Sequence, residues 1–599
     1  MALSAPSESP AVVVREIDLT GGVPNVQSTT GAIVGNFRWG PVLQRKLISN
    51  EAELVSTFGT PSDATAVDFL SAAQYLRYSS TLYVVRATDS NGSGVEPGAA
   101  YCMHDGSITT VFDVDNNPYF NNSEDFTNRE ASVTALEDSN NHGIQFIAKY
   151  PGDLGNSLKV AYLPSQSTGD STWDAWTYKS SFDAKPTTSD WATSRNDSGD
   201  ELHVAVIDED GLFSGTRGTV LEVFPNLSVL LDAKDGQGQS IYAKEVINAN
   251  SQYIYMLNFD SAQSAAGAGL STFGTGRTYR PTVPSAVAKS LSNGTNSGSL
   301  GTSAGLAGYD LYEDKDQVEV DFIIAPQTST TDGLATVVND LVSTAQSTRK
   351  DCVVITSPNR ASIVGVSSDA TRVSNTVTAV SGLTRSSYLI VDNNYLKVYD
   401  KYNDKYVFIP AASTTAGIMA ATDYNRAAWF SPAGSRRGQL LGVTALAYSP
   451  TKAQRDTLYK NGVNPIANIP GQGVLLFGDK TFLSRPSAFD RINVRRLFLI
   501  LERAIGRAAE QVLFEFNDEF TRAEFVNIVE PVLREVQGRR GITDFRVVCD
   551  ETNNTAAVID RNEFIASVFI KPARSINYVT LNFVAVRTGV DFEEVVGTV

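Results

Sequence analysis

Between residues 318 and 356 the chain sets out a strand, a helix and a second strand. Residues 320–325 form a short apolar run and residues 352–356 form another. Between them Leu334, Val337, Val338, Leu341, Val342 and Ala345 recur on one face of a helix. Two strands separated by a whole helix pair in parallel, and the helix covers one face of the pair. Residues 31–86 repeat the theme. There Phe69, Leu70, Ala73 and Leu76 mark a helix over 66–78, and 82–86 reads as a buried strand. The two stretches are expected to complete one layered core. From 89 to 311 the composition shifts to Gly, Ser, Asn, Thr and Asp, with short strand-like segments at 144–148, 158–163 and 204–207 separated by turn residues. Residues 292–308 are a Gly/Ser/Asn tract that reads as a loop or linker. Residues 396–400 and 406–410 flank a turn and predict a hairpin. The predicted fold is α+β and multidomain. Its α/β layered core comes from 21–88 and 312–484, a β-rich protruding insertion of two subdomains spans 89–311, and a C-terminal α+β domain spans 485–599.

The totals narrow the function classes. A chain of 599 residues with 42% hydrophobic content suffices for several cores and three or four domains. Apolar runs such as 322–325, 497–501 and 583–586 fall far short of the ~20 residues that cross a bilayer, so no transmembrane segment is expected. Residues 1–10 lack the basic and apolar regions of a secretory signal. Cys102, Cys352 and Cys549 are odd in number and far apart, which excludes a disulfide framework or a zinc spacing and suits a reducing cytoplasm. The net charge of −17 argues against direct nucleic-acid binding. From residue 485 onward fifteen basic residues nearly balance seventeen acidic ones, so the acidity lies upstream.

No catalytic, cofactor or metal site is expected. Gly301-Thr302-Ser303-Ala304-Gly305 has the letters of a nucleophile elbow but lies inside the low-complexity tract, without the strand and helix the motif needs. His104, His142 and His203 all fall in the insertion, and His203, ahead of a strand, reads as a surface or edge residue. Gly471-Gln472-Gly473 lacks a third glycine and follows Pro470, as a turn does. Asp208-Glu209-Asp210 and Glu313-Asp314 miss the calcium-loop spacing and read as solvated turns. The chain is not expected to be an enzyme.

The C-terminal region has two distinctive patterns. On a helix over 495–514, Leu497, Leu501, Ala504, Ala508 and Val512 form a core-facing stripe. Arg496, Arg503 and Arg507 form a second stripe, with Glu510 near it. A solvated face with i,i+4 pairs would give the same pattern. Strands are expected at 545–550, 564–570 and 576–587, with Pro572 removing one ladder donor. The last is long and apolar, either closed within its own domain or a hazard as a bare edge. At the other terminus 11–17 is a β-branched run with no nearby partner, and its backbone groups must be paired at a distance, as an edge strand of its own domain or elsewhere.

Residues 492–517 are the most telling stretch. Upstream of them stand Ala416-Gly417-Ile418, Asp423, Ser431-Pro432-Ala433, Gly462-Val463-Asn464, Ile469 to Gly473, and Phe477-Gly478-Asp479-Lys480-Thr481. In this order and spacing the chain resembles the tail sheath proteins of contractile bacteriophages, of the T4-like kind. Gly31 to Gly35 and Trp39-Gly40-Pro41 extend the likeness to the start of the chain. Phe477 stands where a Trp is common and Gly434 where an Asn is common.

The resemblance implies a structural subunit that polymerises helically around a tail tube in a metastable extended state, then contracts to drive the tube through a host envelope. It implies strand exchange between subunits through Val12, Val13, Val14 and Ile17 of an arm at 1–20, and through Tyr578, Val579, Leu581, Phe583, Val584 and Val586. Arg496, Arg503 and Arg507 would meet the tube, and residues 485–599 would be the polymerisation domain. Implied partners are further copies, the tail tube protein, and baseplate and tail terminator proteins. The implied location is the virion tail, after assembly in the host cytoplasm. Alternatives are a sheath of another contractile injection system, of tailocin or secretion type, or an α/β enzyme or surface-binding protein with a β-rich insertion.

Overall fold

The computed structural model describes residues 29–88, 98–103, 122–124, 126–127, 144–165, 170–196, 198–230, 232–257, 287–296, 300–328 and 330–575. They divide into two compact units. The larger runs from residue 29 to Ala428 and from Pro432 to Arg495, and the smaller comprises Trp429–Ser431 and the residues from Arg496 onward.

The larger unit is organised on a seven-stranded sheet in the order Val463–Asn464, Leu389–Asp392, Val353–Thr356, Phe322–Ile324, Gly31–Gly35, Leu82–Arg86, Arg45–Ile48. All neighbours are parallel except the last pair. Gly31–Gly35 therefore joins the two sequence halves, with Gly31 opposite Phe322 on one side and opposite Leu82 on the other. The central strands are buried along their whole length, as a parallel sheet covered on both faces requires. The predicted helix spans Thr331–Ser343, with the Thr330 hydroxyl accepting from Gly333 N at its N-cap. Its Leu334, Val337, Val338, Leu341 and Val342 pack with Ala32, Val34, Ile323, Val354 and Val391. Each such burial is worth roughly 1.5–3 kcal/mol against exposure.

On this sheet, the helices Ala66–Leu76 and Ala412–Asn425 lie against each other. A Cβ on Gly417 would fall 2.5 Å from the Tyr78 ring, so only glycine permits this approach. The hairpin Tyr395–Asp400 and Lys405–Pro410 forms as predicted.

The insertion contains a four-stranded antiparallel sheet, Val287–Ser290, Leu158–Pro164, Glu201–Asp208, Thr219–Ser228, and a three-stranded one, Tyr101–Met103, Ile144–Ala148, Ile254–Met256. Alternate residues of the four-stranded sheet feed two cores, Val160, Leu202, Val204 and Val206 on one face and Ala161, Leu163, Ala205 and Ile207 on the other. The entry and exit of the insertion are tied together. Gly98 N donates to Thr295 Oγ1 at 2.8 Å, and Thr295 N donates to Gly98 O at 3.0 Å.

Three expectations change here. The tract at 292–308 is not a plain loop, because Thr302–Asp310 is a helix. Its Gly308 lies so near Val34 that a Cβ would be 2.5 Å away, and Tyr309 OH donates to Ile324 O at 2.5 Å. Small residues that read as low complexity are what let this helix lie close on the sheet, and they place it in the core ahead of residue 312. His203 is fully buried, not at the surface. Its strand begins earlier than its apolar run, and its ring stacks on Phe182 with centroids 4.4 Å apart. Nε2 faces Ala184 O at 2.7 Å and Nδ1 accepts from Asn226 N, which fixes a neutral ring protonated at Nε2. Asp208 is likewise no solvated turn residue. It is buried, and it accepts from the Ser157 and Ser214 hydroxyls and from the backbone N–H of Leu212, Phe213 and Ser214. These bonds outweigh its burial and hold its carboxyl below the usual range.

Candidate assembly surfaces

The smaller unit is built from two helices and a hairpin. The helix Ile492–Glu510 supplies Leu497, Leu501 and Ala508, and the helix Glu519–Gly538 supplies Phe525, Val529, Leu533 and Val536. Ile542 and Cys549 close this core from the hairpin side, and the Phe525 and Phe564 rings meet edge-on at 5.4 Å. Asp518 caps the second helix by accepting from Thr521 N at 2.8 Å. A Cβ on Gly541 would strike Val536 and Trp429, so glycine lets the chain turn tightly from this helix into the hairpin.

The hairpin pairs Ile542–Val548 with Ser567–Pro572, Ile542 opposite Pro572 and Val548 opposite Ser567. Among the described residues it is a two-stranded sheet, so each strand keeps one lateral edge without a ladder partner. Such a ribbon is marginal alone, and an open edge is a template for another strand. The expected exchange residues, Val12, Val13, Val14 and Ile17 together with Tyr578, Val579, Leu581, Phe583, Val584 and Val586, lie outside the described residues.

The arginine stripe is only partly as periodicity drew it. Arg496 is buried at 2% exposure, whereas Arg503 and Arg507 are half-buried. Residues 492–497 are enclosed on every side, so a one-sided helix begins only beyond them.

Just before this helix, the 477–481 motif forms a polar clamp. The Arg491 guanidinium donates to Asp479 Oδ1 at 2.9 Å and to Tyr459 OH at 2.5 Å, and Tyr459 OH donates to the same carboxylate oxygen at 3.1 Å. Lys480 Nζ donates to Tyr459 O and stands 4.1 Å from its ring centroid. Ile492 N donates to Asp479 O, and Asn464 both accepts from Lys480 N and donates to Lys480 O. Burial, then repulsion by Arg491, lowers the Lys480 pKa, and burial with the Asp479 charge raises that of Tyr459. Arg495 sits between the rings of Tyr388 and Phe489 at 4.4 and 4.9 Å. The 477–481 motif shows no role in the sequence alone. The partners Tyr459 and Arg491 lie outside it and carry no local signal.

At the C-terminal edge of the large sheet, Asp392, Asn393, Asn394 and Asn464 are all buried. Asn393 donates to Tyr448 OH and accepts from Ile466 N, while Asn394 donates to Tyr448 O. These side chains spend their hydrogen-bonding capacity on the backbone and on the hydroxyls of Tyr448 and Thr415. The Ser303 of the elbow-like motif is exposed in the first turn of its helix, not at a strand–helix junction. Among the described residues no group of three or more His, Cys, Asp or Glu could hold a metal ion.

Residues 28–87 match the tail sheath protein Gp18 domain III N-terminal region, 305–482 the phage tail sheath protein central domain, and 484–585 the phage tail sheath C-terminal domain. The first two matches bracket the insertion. The chain is 34% identical to the tail sheath protein of Enterobacteria phage T4, over 98% of this chain and 99% of that one. It is 31% identical to the tail sheath protein of Vibrio phage KVP40, again over 98% and 99%. The crystal structure of a sheath tail protein from Listeria innocua shares the fold at a TM-score of 0.52 and 12% identity, over 92% of this chain and 97% of that one. The chain belongs to the phage tail sheath protein family.

Proposed function

We propose that this chain polymerises by strand exchange around a tail tube, with the Ile542–Val548 and Ser567–Pro572 edges receiving strands from neighbouring copies. The observation that carries this reading is the two-stranded ribbon with both outer edges open among the described residues. The apolar runs at 11–17 and 576–587 are the strands offered, and they include Val12, Val13, Val14, Ile17, Tyr578, Val579, Leu581, Phe583, Val584 and Val586. Strand addition contributes directional backbone bonds, each netting about 1 kcal/mol. Because donor and acceptor surfaces differ, the contact is head-to-tail, and where its rotation does not close it builds an open helix.

In this reading residues 1–20 are a linker arm, 485–599 the polymerisation domain, and 89–311 a protrusion. Arg503 and Arg507 meet tube carboxylates through weak, salt-screened pairs of ~0–1 kcal/mol, which hold a tube and later release it. The burial of Arg496 makes it the anchored root of that stripe. Baseplate and terminator proteins bound the polymer, assembly takes place in the host cytoplasm, and the work is mechanical without catalysis. Removing residues 1–16 tests the reading by sedimentation and negative-stain microscopy on added tube. A folded subunit that no longer assembles is the expected result, and normal cylinders would refute it.

A further inference from the structure

The turn between the two helices of the smaller unit points its apolar side chains outward. Leu513, Phe514, Phe516 and Phe520 are 61%, 105%, 83% and 76% exposed. Phe514 also has φ +70, a left-handed conformation that costs a bulky residue on the order of 1–3 kcal/mol. The turn is nevertheless pinned. Asn517 Nδ2 donates to Asn554 Oδ1 and to Glu563 O, and Arg522 donates to Asn517 O and Oδ1. With Asp518 capping the next helix, the aromatics are held out on a fixed platform. Contiguous exposed aromatics of this kind mark an interaction site.

Charge indicates what covers them. Glu515, Asp518 and Glu519 on this turn are exposed. At the far end of the helix Glu519–Gly538, roughly 30 Å away at ~1.5 Å per residue, the sign reverses. There Arg534, Arg539 and Arg540 are exposed, with Arg539 over the Trp429 ring at 5.1 Å. Arg534 and Arg539 keep Glu530 and Glu535 as helical neighbours, which leaves this end net basic. Guanidinium groups stack on aromatic faces and pair with carboxylates, so one end of the helix complements the other. We propose that the 513–520 turn seats against the Arg534, Arg539 and Arg540 end of the same helix in a second copy of this chain. The contact is heterologous, so each copy offers one end to a neighbour and receives the other end from another. It rests on the polymer-forming character of the family and uses none of the strand-exchange residues.

The test uses the full-length chain assembled on added tube protein, with a photoreactive residue replacing Phe514. Cross-links to the peptide containing 534–540 of another copy are expected. Cross-links to tube protein, or to residues 576–599 of any copy, would overturn the proposal. Sedimentation of charge variants supplies the second arm. Glu515→Lys with Glu519→Lys, and separately Arg534→Glu with Arg540→Glu, are each expected to lower the assembled fraction about tenfold. Combining all four should restore at least half of it, and no restoration would overturn the contact. Phe514→Ser with Phe516→Ser should abolish assembly, and full assembly by this variant would do the same. Removal of residues 1–16 leaves the 513–520 cross-link possible in small oligomers, so failure of strand exchange and failure of this contact are separable.

Discussion

Replacing Asp392 by asparagine should change how the larger unit responds to pH. Asp392 ends the strand Leu389–Asp392 and is fully buried, with Asn394 N donating to it at 3.2 Å and the Thr415 hydroxyl at 3.4 Å. Burial outweighs these bonds and that from Ser357, and pushes its pKa from 3.8 up to about 7. The folded chain therefore keeps a proton between pH 3.8 and about 7 that the unfolded chain has released. Stability must fall as pH rises across that window. At 1.36 kcal/mol per tenfold, the full gap amounts to about 4 kcal/mol by pH 8. Asparagine is neutral throughout and nearly the same shape, so Asp392→Asn removes this slope. The assay is denaturant unfolding of wild type and variant at a series of pH values from 4 to 8.5. The two should nearly coincide at pH 4, and the variant should be several kcal/mol more stable at pH 8. Asp68, also buried and pushed up to about 6, adds a slope of the same sign to both proteins and cancels in the difference. Parallel curves, or a variant less stable at pH 8, would refute the reasoning.

Three other outcomes are expected. Arg491→Met removes the guanidinium that donates to Asp479 and to Tyr459 OH, so the midpoint of thermal unfolding should fall by the equivalent of about 2 kcal/mol. Gly417→Val forces a Cβ to within 2.5 Å of the Tyr78 ring and should cost at least about 2 kcal/mol, read as lost soluble yield and a lowered denaturation midpoint. His203 has a lowered pKa chiefly through burial, so its unfolded form takes up protons first as pH falls. The stability it contributes should be lost as pH drops below about 6.5, and His203→Gln should flatten that acid slope in calorimetry.

The parts of the fold legible in the sequence are those where periodicity is strong and local. Leu334 to Val342 read as a helix face because tertiary contacts reinforce the pattern already present. The helix Thr302–Asp310 was hidden because its contact with Val34 and Ile324 favours small residues, which carry no hydrophobic signal. The helix Glu519–Gly538 does not stand out either. Pro531 interrupts it, and its exposed position lets the helix absorb a residue that ordinarily breaks one. His203 was misplaced because an aromatic cover of Trp173, Trp176 and Phe182, distant in sequence, seals its face of the sheet. The hairpin was legible to within a few residues, but its open edges are a property of pairing that no single segment announces. Arg496 shows the reverse failure, since a regular stripe cannot tell an enclosed turn from an exposed one.

The reciprocal bonds between Gly98 and Thr295 make the insertion a closed loop as seen from the seven-stranded sheet. Beyond that neck the insertion still touches the core, where Arg38 pairs with Asp153, Arg86 donates to Pro151 O and Asn122 donates to Val42 O. A change of loop length remote from these contacts costs only about 0.6 kcal/mol per doubling and leaves the register of Gly31–Gly35 against its two partners in place. The residues beside the neck are therefore where the sheet feels a change in the insertion, and the loops beyond them are where length can vary at little cost.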